Sequence, residues 1–109
     1  MITDDEAEKA VDYLRSNARA AAQAKANRVY MEEYRKVVKS QIMREQGAMP
    51  ITAQETVAYA DPRYIQHLKA LQEAVEKDEY MRWMLAAAEA KIAAWQTQSA
   101  NTRAVERIR

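Results

Sequence analysis

The sequence predicts an all-α protein in which two long helices fold back on each other as an antiparallel hairpin, with a short helix at the turn. The 109 residues include one glycine, Gly47, and two prolines, Pro50 and Pro62, so a helix has few places to end. Alanine, glutamate, lysine and arginine are abundant, which favours helix almost throughout. Apolar residues also recur at steps of three and four, the period of a helix that packs on another helix.

The first helix has a signal at each end. Thr3 and Glu6 match the Thr-x-x-Glu pattern of a capping box, in which each side chain bonds the backbone N–H of the other residue. Nothing interrupts the chain until Gly47, a residue type that favours the left-handed conformation common just after a helix. These signals predict a helix over 4–46, about 65 Å long at 1.5 Å per residue.

The short helix and the third helix are predicted from similar signals. Thr52 and Glu55 form a second Thr-x-x-Glu pattern, which predicts a short helix over 53–60. Asp61-Pro62 then supplies an N-cap followed by proline at the first helical position. With no later breaker, a third helix is predicted over 62–105.

The two long helices are similar in length, and a short connection joins them. We therefore predict that residues 1–109 form a single helical-hairpin domain. Equal rise along both helices pairs positions whose numbers add up to about 108. This register brings Trp95 near Tyr13 and Leu14.

Apolar stripes define the predicted seam between the long helices. On the third helix the seam consists of Leu68, Leu71, Val75, Met81, Leu85, Ala88, Ile92 and Trp95. On the first helix it consists of Val11, Leu14, Ala18, Ala21, Val29 or Tyr30, Tyr34, Val37 and Ile42. Two three-residue steps follow each other around Asp78, so we expect the seam to shift or overwind there.

A further apolar row lies beside the third-helix seam. It consists of Tyr80, Trp83, Met84 and Ala87. Because one seam buries little apolar surface, we expect self-association, most simply a homodimer in which two hairpins combine into a four-helix bundle. The alternative is a monomer in which the short helix and the curvature of the hairpin cover this row.

Composition excludes several classes of protein. There is no cysteine, so neither a disulfide framework nor a thiolate metal site is available. The net charge of +1 predicts no strong general attraction to nucleic acid or anionic lipid. The acidic start lacks the apolar run of a secretory signal, and no stretch reaches the roughly 20 apolar residues of a membrane span. We therefore expect a protein of the cytoplasm with no membrane partner.

No catalytic or metal-binding signature is visible. His67, the only histidine, lacks the neighbouring ligands of a metal site or the partner of a general base, and we interpret it as a surface residue. The acidic cluster Glu73, Glu76, Asp78 and Glu79 is interpreted as a solvated helix face. We expect no catalytic residue, no bound metal and no cofactor, and therefore no enzyme.

Basic residues on the first helix form the candidate surface for nucleic acid or an acidic partner. They are Arg15, Arg19, Lys25, Arg28, Arg35, Lys36 and Lys39. The set lacks the interleaved aromatic residues of a single-strand binding platform. A face that only keeps the protein soluble is the alternative interpretation.

A second candidate surface is a protein interface on the third helix. The segment from Trp95 to Arg103 places small polar residues after a large aromatic one, a combination that suits recognition. The alternative is a fraying helix end. Together with the apolar row, the predicted protein interface comprises Tyr80, Trp83, Met84, Ala87, Trp95, Asn101 and Arg103.

Several short motifs of the third helix also suggest a family. They are Tyr64-x-x-x-Leu68-x-x-Leu71, Arg82-Trp83, Ala88-x-Ala90-Lys91-Ile92-x-x-Trp95 and Ser99-x-Asn101-x-Arg103. With the long first helix and the Met-Pro turn, the chain resembles a family of small all-helical proteins of tailed bacteriophages and prophages, whose genes lie near phage recombination genes. That family has no established catalytic residues to transfer.

The resemblance implies a non-enzymatic accessory role in phage DNA recombination or replication. The expected partner is then a phage or host DNA-processing protein, and contact with DNA through the basic residues is left open. The alternative is a helical inhibitor that binds a host defence or regulatory protein. In both cases the protein acts inside the bacterial host cell.

Overall fold

The computed structural model describes residues 1–108, and within that range all regular secondary structure is α-helical. The helices are α1 (Asp4–Arg44), α2 (Ile51–Ala60) and α3 (Pro62–Ile108). The two long helices pack antiparallel, with the short helix between them in the chain. The all-α helical hairpin predicted from the sequence is therefore confirmed.

Local signals place most of the ends of the long helices. The backbone N–H of Glu6 donates to the Thr3 hydroxyl at 3.1 Å, as a capping box requires. The return contact differs, because the Thr3 hydroxyl itself donates to the Glu6 carboxylate at 3.3 Å. α1 ends at Arg44, two residues earlier than predicted, and Gly47 follows in the expected left-handed conformation with φ of 69°.

The predicted capping box of the short helix is wrong. α2 begins at Ile51 with Pro50 as its N-cap, and no side chain bonds the free N–H groups of its first turn. Thr52 already lies inside the helix, where it cannot act as the cap. Instead, the amide of Gln54 reaches back to the turn and donates to the Met49 carbonyl at 2.7 Å.

The start of α3 follows the prediction. The backbone N–H of Arg63 donates to the Asp61 carboxylate at 2.8 Å, and Pro62 is the first helical residue. The helix continues to Ile108, three residues beyond the predicted end.

The chain divides into two compact units. One, here called the terminal unit, comprises Met1–Ala22 and Tyr80–Arg109, and the other, the turn unit, comprises Gln23–Glu79. In the turn unit, all three helices contribute to a core around Ile42, Ala58 and Tyr64, with Val38, Met43 and Val57 packed against it. In the terminal unit, the buried residues are alanines, namely Ala7, Ala10 and Ala88.

The seam of α3 differs from the prediction in its first half. The buried and half-buried positions that follow regular three- and four-residue steps are Tyr64, His67, Leu71, Ala74, Asp78, Met81, Leu85, Ala88, Ile92 and Trp95. Leu68 was placed in the seam but is 39% exposed, and His67 takes that place. The predicted break at Asp78 is also wrong, because the buried Ala74 takes the place given to Val75 and the steps through Asp78 are then four and three.

The seam of α1 is built largely from small residues. Its buried and half-buried positions include Ala7, Ala10, Leu14, Asn17, Ala21, Ala24, Arg28, Met31, Val38 and Ile42. Val11, Ala18, Val29, Tyr30 and Val37 were predicted in the seam and are exposed. Since alanine is frequent on every side of this helix, apolar periodicity alone could not identify the buried side.

The predicted register is wrong in the terminal unit. Ile2 lies opposite Gln98, and Asp4 lies opposite Trp95. Pairs that add up to about 108 would have placed these partners more than two turns further along α3. The estimate assumed equal rise along both helices, and it describes the pairing of Arg28 with Asp78 but not the pairs of the terminal unit.

Candidate protein interface and basic surface

The predicted apolar row is exposed in the terminal unit. Tyr80 is 62% exposed, Trp83 69% and Met84 37%, and Ala87 is exposed as well. Exposed aromatic residues of this size are common at protein interfaces, where they bury a large apolar surface with little loss of side-chain entropy.

An apolar groove adjoins this row between the helices of the terminal unit. Its volume is about 310 Å³, and its walls include Met84 and Ala87 of α3 with Ala10 and Tyr13 of α1. Its lining also includes three charged residues, namely Glu6, Lys9 and Lys91. An apolar floor with a charged rim is the usual anatomy of a protein-binding surface.

Trp95 has a structural contact within the chain. Its indole N–H donates to the Asp4 carboxylate at 2.7 Å, and the side chain is half-buried. The predicted alternative, packing near Tyr13 and Leu14, is wrong. The tryptophan instead holds an acidic residue in the first turn of α1, where negative charge also favours the helix dipole.

Gln98 makes a contact that sequence reasoning missed. Its amide oxygen accepts from the backbone N–H of Ile2 at 3.0 Å, and its amide nitrogen donates to the Ile2 carbonyl at 3.0 Å. This two-way clamp fixes the residue just before the α1 cap. No sequence signal distinguishes Gln98 from the other polar residues near it, because the contact depends on the tertiary register.

The last predicted interface residues lie beyond this clamp. Asn101 and Arg103 are exposed, as is every described residue from position 100 onward. Among residues 1–108, α3 has no part of α1 beside it once it passes the clamp. Thr102 bonds its own helix, donating to the Gln98 carbonyl at 3.0 Å, so its polarity serves the helix end.

The basic residues of α1 do not form one uniform surface. Arg28 lies in the seam, where its Nε donates to Asp78 at 2.5 Å and its Nη1 donates to Glu32 at 2.7 Å. Hydrogen bonds to Asp78 and then to Glu32 raise the pKa of Arg28 above its ordinary value. Its charge is therefore committed within the chain.

Lys39 and Lys36 also have carboxylate partners. Lys39 Nζ is 3.7 Å from Glu55 and 4.8 Å from the centre of the Tyr59 ring. The Tyr59 side chain, and then the Glu55 charge, raises the pKa of Lys39. Lys36 pairs with Glu33 at 3.2 Å on an exposed surface. The remaining basic residues of the predicted set are exposed, and they are Arg15, Arg19, Lys25 and Arg35.

Two titratable residues interpreted as surface groups lie in the seam. His67 is half-buried, with Nε2 2.7 Å from the Met31 carbonyl and its ring 5.7 Å from that of Tyr34. Asp78 is 8% exposed and pairs with Arg28, so the interpretation of a solvated face fails for this member of the acidic cluster. Glu73 and Glu76 are exposed, as expected.

Arg63 forms a second ion-pair network in the turn unit. Its guanidinium donates to both carboxylate oxygens of Glu45, at 2.8 and 2.7 Å, and to Asp61. These hydrogen bonds lower the pKa of both carboxyls. No sequence signal indicates the link to Glu45, because it depends on the path of the turn.

Neither a metal site nor a membrane span is found in residues 1–108. No group of three or more histidine, aspartate or glutamate side chains in that range could hold a metal ion. The described helices also include none that is long and apolar enough to cross a bilayer.

Comparison with known proteins finds no matching family model, no matching curated protein and no matching solved structure.

Proposed function

We propose that this chain is a non-enzymatic phage accessory protein that acts through protein–protein contacts in DNA recombination or replication. Its place of action is the cytoplasm of the bacterial host. The observation that carries the binding role is the exposed apolar row of the terminal unit, in which Trp83 is 69% exposed beside an apolar groove. The link to recombination rests on the resemblance of the α3 motifs to the phage family.

The proposed partners are a phage or host DNA-processing protein and a second copy of this chain. Tryptophan and tyrosine contribute much of the binding energy at protein interfaces. Charged residues beside an apolar surface add specificity. Trp83 is the residue that we expect to matter most for the protein partner. It makes no contribution to the buried seam, so removing it leaves the hairpin intact.

A weaker contact with DNA belongs to the same proposal. The exposed cations Arg15, Arg19, Lys25 and Arg35 are available for phosphate groups, whereas Arg28 and Lys39 are committed to ion pairs. Substituting the committed residues would disturb the fold as well as the surface. A test of DNA contact therefore has to use the exposed set.

The first experiment is affinity capture from phage-infected and uninfected host extract, with and without nuclease. We expect wild type to capture a recombination or replication protein, and W83A to lose it. The matched control is Y30A, which removes an aromatic side chain that is 64% exposed in the turn unit. A complex with a host defence or regulatory protein that resists nuclease would overturn the recombination role in favour of a helical inhibitor.

The DNA contact is measured by fluorescence anisotropy at increasing salt. Binding through several cations weakens steeply as salt rises, because counterions are released from the phosphates. We expect K25Q/R35Q to weaken binding and K69Q/K77Q, which removes two exposed lysines from α3, to leave it near the wild-type level. Equal effects of the two pairs would show that only net charge matters.

A further inference from the structure

A second stripe with the period of a coiled coil runs along α3, outside the seam. Its positions alternate in steps of four and three, and each lies one residue before a seam position as far as Ala94. They are Tyr80, Met84, Ala87, Lys91, Ala94, Gln98, Asn101, Val105 and Ile108. All except the half-buried Gln98 are exposed. A regular exposed stripe with a single charged residue, Lys91, indicates a further helix–helix contact.

The stripe has nearly the same pattern when it is read in either direction. Large apolar residues lie at both ends, Tyr80 and Met84 at one and Val105 and Ile108 at the other. Small or polar residues occupy the middle, around Ala94. A two-fold contact requires a surface that complements itself, and a palindromic stripe meets this requirement when two copies of the helix run antiparallel.

Charge favours the antiparallel arrangement over the parallel one. In a parallel pair with matched register, Lys91 of one copy lies against Lys91 of the other, and like charges repel. In an antiparallel pair centred near Ala94, Lys91 instead faces the amide side chains around Gln98 and Asn101. The exposed amide oxygen of Asn101 can accept a hydrogen bond from the ammonium, whereas the Gln98 amide is already bonded to the Ile2 backbone.

The length of α3 supplies a third reason. Ile2 is clamped opposite Gln98, so the described residues beyond the clamp have no part of α1 beside them. Val105 and Ile108 are 50% and 86% exposed there, while Met84 and Ala87 line the open groove nearer the start of the stripe. An antiparallel second copy would lay the end of its α3 over this groove.

We propose that the stripe on α3 binds the same stripe of a second copy, antiparallel, about a two-fold axis near Ala94. This inference rests on the proposed function, which includes a homodimer. It deepens that proposal by assigning the stripe to the contact with the second copy. Trp83 lies off the stripe and stays available for the other protein partner.

The oligomeric state tests the contact directly. We expect wild type and W83E to sediment as dimers at micromolar concentration, and M84E to sediment as a monomer with unchanged helical circular dichroism. Met84 is on the stripe and Trp83 is not, although both are exposed and one residue apart. A monomeric wild type would overturn the proposal, and so would a W83E variant that dissociates as readily as M84E.

Cross-linking tests the orientation. Because the chain contains no cysteine, single-cysteine variants can be linked with a short bis-maleimide without background. We expect A94C to form a linked dimer. A87C should not, since antiparallel copies place those residues about 21 Å apart along the helix axis. A90C, which is exposed but off the stripe, is the matched control and should not be linked.

The outcomes separate the inference from the proposed function. Efficient linking of A87C would indicate parallel helices, and absence of linking at A94C would place any dimer contact elsewhere; either result overturns the proposal. A wild-type monomer that still captures a recombination protein overturns the pairing alone. A dimer linked at A94C that captures no such protein supports the pairing and contradicts the proposed function.

Discussion

The interactions that stabilise the turn unit differ from those that stabilise the terminal unit. The turn unit has a core in which Ile42 is fully buried, together with ion pairs centred on Arg28 and Arg63. The terminal unit buries alanines, and polar contacts of Gln98 and Trp95 fix its first residues. Burial of large side chains contributes more than burial of methyl groups, so most of the apolar stabilisation belongs to the turn unit.

This difference also explains where the candidate interface lies. The buried positions of the terminal unit are alanines, while Tyr80, Trp83 and Met84 are exposed. Alanine seams let two helices approach closely, but they bury little apolar surface. A partner that covers the larger exposed side chains would therefore add buried apolar surface to the terminal unit.

The largest expected effect is on the core of the turn unit. Ile42→Ala should lower the free energy of unfolding by about 2–5 kcal/mol, because it removes a fully buried side chain and leaves a cavity. Val37→Ala, on the same helix but 42% exposed, should change it by no more than about 0.5 kcal/mol. Urea unfolding followed by circular dichroism compares the two. Equal losses would show that Ile42 is not the centre of the core.

The next effect concerns the ion pair in the seam. Asp78→Ala should lower the melting temperature, though less than Ile42→Ala, because Arg28 stays in the seam with Glu32 as its remaining carboxylate partner. The double variant R28M/D78L should recover much of the loss, since apolar residues then fill both seam positions. A double variant less stable than Asp78→Ala would show that apolar side chains cannot replace the ion pair at these seam positions.

A smaller and more local effect is expected in the terminal unit. Gln98→Ala removes both bonds to the Ile2 backbone and should cost about 1 kcal/mol. Hydrogen exchange should accelerate for the amides of the first turn of α1 and stay unchanged around Ile42. Gln96→Ala, exposed on the same helix, is the control. Uniform acceleration throughout the chain would contradict the division into two units.

The smallest effect is a pH dependence in the turn unit. Arg63 lowers the pKa of Glu45 and Asp61, so these carboxylates stabilise the fold above their ordinary range near 4. The contribution is lost as the pH falls through the lowered values. The melting temperature of wild type should therefore exceed that of R63Q at pH 7, and the gap should close in acid. Because the pair is exposed, the gap should be small and should shrink with salt.

The sequence predicted those features that depend on neighbouring residues. Asp61-Pro62 fixed the start of α3, and Gly47 marked the end of α1, because caps and left-handed turns are set by a few adjacent residues. The exposed row at Tyr80 and Trp83 also followed from helical spacing. Their role as an interface stays a prediction.

The seam was harder to predict, because polar residues take several of its positions. Arg28, His67 and Asp78 lie where apolar side chains were expected, and each has a partner on the opposite helix. Such pairs become visible only when the register is known. The same reason hid Gln98 and the contact of Trp95 with Asp4.

The clamp between Ile2 and Gln98 has a mechanical consequence. In the terminal unit Ile2 lies against the last third of α3, so tension applied between Ile2 and Ile108 loads this contact first. The two hydrogen bonds would then break before the alanine contacts behind them. Force would then separate α1 from α3 one turn at a time. This would require a lower force than sliding the two helices past each other.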